Sequence, residues 1–374
     1  MKFEVEAKRF LAALKSAARA TASGHAVNIH ITADGAGVSM VAADLDVGIR
    51  VRVPDAKVDA SGSVSCSASD LLSAAGTIQN GLIAVDLGKD MRLSMRSKER
   101  RTHVRVPGVS SDLHEPPDFD VTPAIHVDGP AFLRSIRRAI RMAGNDPARE
   151  HLRGVEFRFS PAVTGEFDMK AVATDGYRLA VSRERVKLGK DGLNGFPDKI
   201  RPDSRVLSMI EADGPKTVGL AMTKNGRPAF VCGDTVYISP AFAGEMPNIS
   251  GILGSLSTER PIEIPVDALQ LILVNAKRLT SLKNRAVDVS VSGYALTILA
   301  ENDDGGAFED EAELPGHAED DRFRANVQYV LDVLAAVQSA RVEMNIGPPL
   351  SPVSFNEYNA DGDEVGTFIV MPMR

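Results

Sequence analysis

A chain of 374 residues exceeds what one hydrophobic core comfortably supports, so two or three domains are expected. Its hydrophobic content of 44% is that of a globular protein, no run of 18 apolar residues occurs, and Met1-Lys2-Phe3-Glu4 opens no apolar signal core, which argues against membrane spanning and secretion. The net charge of −7 hides a segregation: ten acidic residues and no Lys or Arg lie between Glu301 and Asp321, and the rest of the chain sums to +3; a partner responds to local potential rather than to the total.

The first third opens with a strand at Phe3-Glu4-Val5 and a helix from Ala7. On that helix Phe10, Leu11, Leu14 and Ala18 lie opposite Lys8, Lys15 and Arg19. An alternating pair of strands follows from Val27 to Val51, then a second helix around Ala68–Ala75. The second third opens with Ile125-His126-Val127 and a helix from about Gly129 to Gly144. Its Phe132, Leu133, Ile136, Ala139, Ile140 and Ala143 share one side, and Arg134, Arg137, Arg138 and Arg141 the other. With no acidic residue among those arginines, the stripe fits a polyanion better than a solvated face of mixed sign. Strands from Gly154 to Val181 and a helix around Arg205–Glu211 complete it. The last third repeats the order: Ile262-Glu263-Ile264, a helix from about Val266, strands from Val287 to Ala300, and a helix at Val327–Val337. Here Lys277, Arg278, Lys283 and Arg285 cluster near the end of the first helix, where they also complement its dipole.

A period near one third of the chain is too long for a solenoid, whose repeats run roughly 20–50 residues. Three whole domains of one architecture are expected, presenting a basic surface. Aromatic residues amount to 5% with no Trp, which speaks against base stacking. Phosphate contacts alone hold a duplex without reading its sequence.

No Gly-rich phosphate loop with Lys-Ser/Thr and no G-x-S-x-G elbow is present. His25 and His30 are close in sequence without a third ligand. Cys66 and Cys232 form no metal-like spacing and read as inert thiols in a reduced, cytoplasmic setting. The acidic stretch lacks the ligand spacing of a calcium loop and reads as a solvated loop and strand edge. Asp-Gly pairs at 34–35, 175–176, 213–214 and 361–362 read as turns. No catalytic residue, cofactor or metal is expected.

Four segments carry a resemblance. Ala171-Val172-Ala173-Thr174-Asp175-Gly176-Tyr177-Arg178-Leu179-Ala180-Val181 resembles the signature strand–turn–strand of the bacterial DNA polymerase III beta subunit, the sliding clamp. Phe368-Ile369-Val370-Met371-Pro372-Met373-Arg374 is similar to that family's closing strand and tail, Asn326 to Leu334 to its last helix, and Met1-Lys2-Phe3 to its start. The resemblance spans the chain and is weakest in the first third. It implies an α+β fold of three clamp domains, residues 1–122, 123–255 and 256–374, each with two helices packed on antiparallel sheets. It further implies a head-to-tail homodimeric ring around double-stranded DNA, with no membrane contact and no catalytic centre. Such a ring is a replication processivity factor, cytoplasmic with the nucleoid.

The family docks polymerase, clamp loader and repair proteins through short linear peptides. Carried over by position, that pocket comprises Leu152, Thr174, Gly176, Tyr177, Arg178, Leu179, Pro247, Ile252 and Leu253 on one side. Tyr329, Leu350, Ile369, Met371, Pro372, Met373 and Arg374 supply the other. DNA contact is assigned to Lys8, Lys15, Arg19, Arg134, Arg137, Arg138, Arg141, Arg149, Lys277 and Lys283. Departures from the family pattern are Gly251 in place of a frequent Arg, Glu150 and His151 where aromatics are common, and Arg101, His103 and Arg278 at usually apolar interface positions. The strand from Arg101 to Val106 is expected as the edge for subunit pairing. Two other classes stay open: a monomeric or variant clamp-like peptide-binding protein, and a metal-dependent nucleic-acid enzyme using acids of the 301–321 stretch.

Overall fold

Amphipathic sequence and capping chemistry place the helices: α1 (Ala7–Ala18), α2 (Ala68–Gly76), α3 (Gly129–Ala139), α4 (Ser204–Asp213), α5 (Ser250–Gly254), α6 (Val266–Ala276) and α7 (Val327–Ala336). The Ser67 hydroxyl accepts from the Asp70 N–H to open α2, and Asn326 Oδ1 accepts from the Gln328 N–H at 2.9 Å to open α7. In the computed structural model, residues 1–23, 28–44, 47–110, 119–162, 166–187, 193, 195–281, 283 and 285–373 are described. Expected features at His25 and Val27 therefore lie outside the described residues.

Two compact units form, and the elements of residues 123–255 are divided between them. The first comprises Met1–Pro130, Leu188–Pro197 and Arg205–Ala241. Its strands run in one antiparallel series in which Gly48–Val53 pairs with Thr235–Ile238, setting Val51 opposite Thr235 and Ile49 opposite Tyr237. Three strands, Asn28–Asp34, Gly37–Ala43 and Gly48–Val53, occupy the region expected to hold a pair. Against this sheet α1 buries Phe10, Ala13, Leu14 and Ala17, and the Phe10 ring lies 6.0 Å from that of Phe3. Asp213, closing α4, accepts from Ser16 Oγ at 2.8 Å, from the Tyr237 hydroxyl and from Arg19. Burial, ahead of the Asp213 carboxylate, pushes the Tyr237 phenol far above its ordinary range. Gly129 is required by close approach: its N–H donates to the Lys216 carbonyl at 2.9 Å, and a Cβ would stand 2.0 Å from the Pro215 oxygen.

The second unit comprises Ala131–Lys187, Asp198–Ser204 and Phe242–Arg374. Its larger sheet joins Arg178–Val186 to the C-terminal strand Glu364–Val370, with Arg178 opposite Val370 and Leu179 opposite Ile369. Ala286–Glu301 and Ala307–Asn326 form a separate long pair. The acidic stretch, expected as a loop and strand edge, thus forms much of a continuous strand, with Glu309, Glu311 and Glu313 exposed. Alternation with buried Ala312 and Leu314 explains this: one face meets the core and the other meets water.

α3 ends at Ala139, short of the expected Gly144, and tightens into a 3-10 turn at Ile140–Met142. Phe132 stacks on Phe157 at 4.9 Å, and Ile136 and Ala139 are fully buried. The arginine stripe does not stand free as expected. Arg138 is 4% exposed, its Nη1 2.6 Å from Glu184 and its Nε 2.8 Å from Glu357. Arg134 binds Glu184 bidentately at 2.9 and 2.6 Å. Glu357 also accepts the Gln338 N–H at 2.9 Å, and Gln338 returns a bond to the Arg134 carbonyl. The acids lie far along the chain, so no local pattern announces them. Arg138 is a structural cation, unavailable to a phosphate.

Removing one partner strands the others in low dielectric. Glu357→Gln should therefore lower stability by about 3–5 kcal/mol in denaturant titration, a cost that exposed Lys8→Ala would not approach. Burial raises the Cys66 thiol to about 11 and the Cys232 thiol to about 12. A thiol reagent at neutral pH should label neither until the chain is unfolded.

Candidate functional site

The apolar site forms within the second unit where the turn Thr174–Arg178 meets the last residues of the chain. Thr174 Oγ1 donates to the Arg178 carbonyl at 2.7 Å and accepts the Gly176 N–H at 3.0 Å. Asp175 Oδ1 accepts the N–H groups of Tyr177 and Arg178 at 2.9 and 3.1 Å. Gly176 holds φ +93°, a region only glycine enters without strain. The Met371 N–H reaches the Tyr177 carbonyl at 2.9 Å and the Met373 N–H the Arg324 carbonyl at 2.7 Å, so the tail is tied at two points.

Leu152, Thr174, Gly176, Arg178, Leu179, Pro247, Ile249, Ile252, Ile369 and Met371 enclose a cavity of about 100 Å³. Behind it Leu179, Ile249, Ile369, Val172, Val181 and Met246 make a buried cluster, with Leu253 and Leu256 packed on it. Ile249 was not anticipated; an Ile three residues before Ile252, at helical spacing, is the signal that would have found it. Tyr177, 53% exposed, stacks on Tyr329 at 6.1 Å, and the Arg178 guanidinium lies 4.8 Å above the Tyr329 ring. Burial pushes the Tyr329 phenol up from its ordinary value. Arg178 is fixed by Asp175 at 3.0 Å and by Asp332 on α7, neither of which was assigned to the pocket. Pro372 and Met373 are half-buried in the tail, and Leu350 stands 56% exposed at φ +67°. Arg374 lies outside the described residues.

The expected cationic residues fall into distinct environments. Lys8, Lys15, Arg137, Arg141, Lys277 and Lys283 are exposed. Arg19 is half-buried on Asp213, and Arg134 and Arg138 belong to the ion network. Arg149 pairs with Asp146 at 3.1 Å, and its Nη1 donates to the Asp175 carbonyl at 3.3 Å. The Ala148 N–H, ahead of Arg149, holds the Asp146 carboxyl below its ordinary value. Glu150 and His151 are exposed, and Gly251 lies exposed in α5. Strand His103–Val109 pairs with Arg92–Arg96 over its first part and with Ser65–Cys66 only at Gly108–Val109, which leaves a free edge at His103–Val106 among the described residues. His103 Nε2 lies 2.6 Å from Ser94 Oγ. Among the described residues no group of three or more His, Cys, Asp or Glu is gathered as a metal would need, and no helix is long and apolar enough to cross a membrane.

Residues 258–374 match the family model for the DNA polymerase III beta subunit, C-terminal domain. The chain is 24% identical over 357 residues to the beta sliding clamp of Caulobacter vibrioides, covering 93% of this chain and 91% of that one. It is likewise 24% identical over 347 residues to the beta sliding clamp of Escherichia coli K12, covering 91% and 90%. In three dimensions it resembles the DNA polymerase III subunit beta of Pseudomonas aeruginosa, with a TM-score of 0.82, 19% identity and full coverage of both chains. The Bacillus subtilis DNA polymerase sliding clamp gives a TM-score of 0.81 at 16% identity, covering 100% of this chain and 99% of that one.

Proposed function

We propose that this chain, which belongs to the bacterial DNA polymerase III beta subunit family, is a sliding clamp: a non-enzymatic processivity factor that closes as a homodimeric ring on duplex DNA and tethers polymerase and other proteins. The observation that carries the reading is the apolar cavity at the turn Thr174–Arg178, capped by the tied tail from Met371. Aliphatic and methionine walls on a hydrogen-bonded turn suit short apolar peptides of varied sequence, because the walls adapt while the turn does not. The chain is read as three domains, residues 1–122, 123–255 and 256–374, on the strength of the thrice-repeated strand, helix, strands, helix order.

DNA contact falls to the exposed cations Lys8, Lys15, Arg137, Arg141, Lys277 and Lys283. Each phosphate contact displaces a counterion, so retention weakens steeply with salt and ignores base sequence. Pairing of two copies uses the free edge at His103–Val106, and the setting is the cytoplasm.

Arg137→Glu with Arg141→Glu should reduce retention on closed circular DNA while a clamp-binding peptide is still bound. An equal loss of both would contradict the assignment of separate surfaces. Deleting residues 371–374 should abolish peptide binding while the fold persists, since the tail's two backbone bonds are lost but the strand Glu364–Val370 is left whole; unchanged affinity in fluorescence anisotropy would place the site elsewhere.

A further inference from the structure

The polar frame of the pocket is shared with the cationic surface. Asp332, 15% exposed at its side chain, is the partner of Arg178 on the pocket side. Its other oxygen accepts from Gln328 Nε2 at 3.0 Å and lies 4.0 Å from Arg141 Nη1. Gln328, one turn earlier on α7, accepts from Lys277 Nζ at 2.6 Å. Two exposed cations from separate elements thus lean on the group that positions Arg178. Both belong to the surface assigned to DNA.

One carboxylate divides its charge between these partners. A phosphate in direct contact offers Arg141 a shorter bond than its 4.0 Å approach to the shared carboxylate, and offers Lys277 a charged acceptor in place of a neutral amide oxygen. Drawing them away leaves Asp332 to Arg178, whose guanidinium is then held more firmly over the Tyr329 ring. Arg149 stays paired with Asp146, so the change falls on Asp332. A wall fixed before the peptide arrives costs less ordering when it binds.

Resting on the clamp reading, we infer that Asp332 couples the two surfaces: duplex phosphate at Arg141 and Lys277 tightens the pocket for its peptide, and the peptide tightens the grip on duplex. Linkage requires the two factors to be equal. The coupling has a physical carrier, an ion pair that both sites compete for, rather than proximity alone.

The test is the anisotropy of a fluorescein-labelled hexapeptide rich in leucine and phenylalanine, with and without saturating short duplex at low salt, on the full-length protein. For the wild type, duplex should tighten the peptide about fivefold, at the low end of the range of linked sites. In Asp332→Asn the ratio should fall to about one, and Asp332→Glu should restore part of it. Arg141→Gln, half-exposed and so harmless to folding, should also lower the ratio. The same ratio in wild type, Asp332→Asn and Arg141→Gln would overturn the coupling, as would a wild-type ratio of one with both ligands bound. Failure of the wild type to bind duplex at all would instead remove the clamp reading and this inference with it.

Discussion

The antiparallel register between Arg178–Ser182 and Gly366–Val370 determines where the site can be. It sets Leu179 opposite Ile369, places both on the cavity side, and brings the Met371 N–H to the Tyr177 carbonyl. A slip of one residue would turn Leu179, Val181 and Ile369 to the other face. That face is already filled by Ala180, Ser182 and Phe368, with Ser182 Oγ directed at Ser135 of α3. Both faces are buried, so the register has no alternative. The pocket inherits its shape from a strand pairing rather than from a loop.

Charge in this chain does two kinds of work that residue type does not distinguish. On α3, Arg134 and Arg138 hold Glu184 and Glu357, and Gln338 is drawn into the same network. Buried ions gain little net stability, because desolvation offsets the attraction, but they penalise any other placement of their elements. Arg137 and Arg141, on the same helix and its closing turn, stay at the surface. The helix is therefore anchored by one pair of arginines and carries the other at its surface. Its cationic potential is smaller than four arginines suggest, and its position is better fixed.

Helix starts at Ala7, Ala68, Gly129, Val266 and Val327 were legible because apolar period and preceding strand signals coincide there. The pocket wall was legible at Thr174, Gly176, Arg178, Leu179, Pro247, Ile252, Ile369 and Met371 through a family resemblance, not through physics alone. What failed has a common cause. A helical wheel tells which arginines share a side of α3, but not that Glu184 and Glu357, 46 and 219 residues from Arg138, close over part of it. Asp332 was missed for the same reason: an acid on an apolar helix reads as solvated until Arg178, 154 residues away, is placed beside it. The acidic run before Asp321 carried the reverse error, because its charge density masked the alternation of Ala312 and Leu314.

The cavity of about 100 Å³ is small beside the about 300–1,000 Å³ of sites that engulf a whole small ligand. A peptide bound here would therefore seat one side chain in it and lie across the rim. The rim supplies what such binding needs: Tyr177, Ile252 and Met371 are 53%, 38% and 37% exposed around it. Covering them removes apolar surface from water at about 25 cal/mol per Å². None of that gain is available unless the rim stays put, and here Tyr177 is tied by its ring stack on Tyr329, Met371 by its N–H and the neighbouring Arg178 by two carboxylates. Soft walls accept different anchors, while the bonded turn and tail keep every anchor at the same place. On the clamp reading, that combination suits one small site to taking several partners in turn.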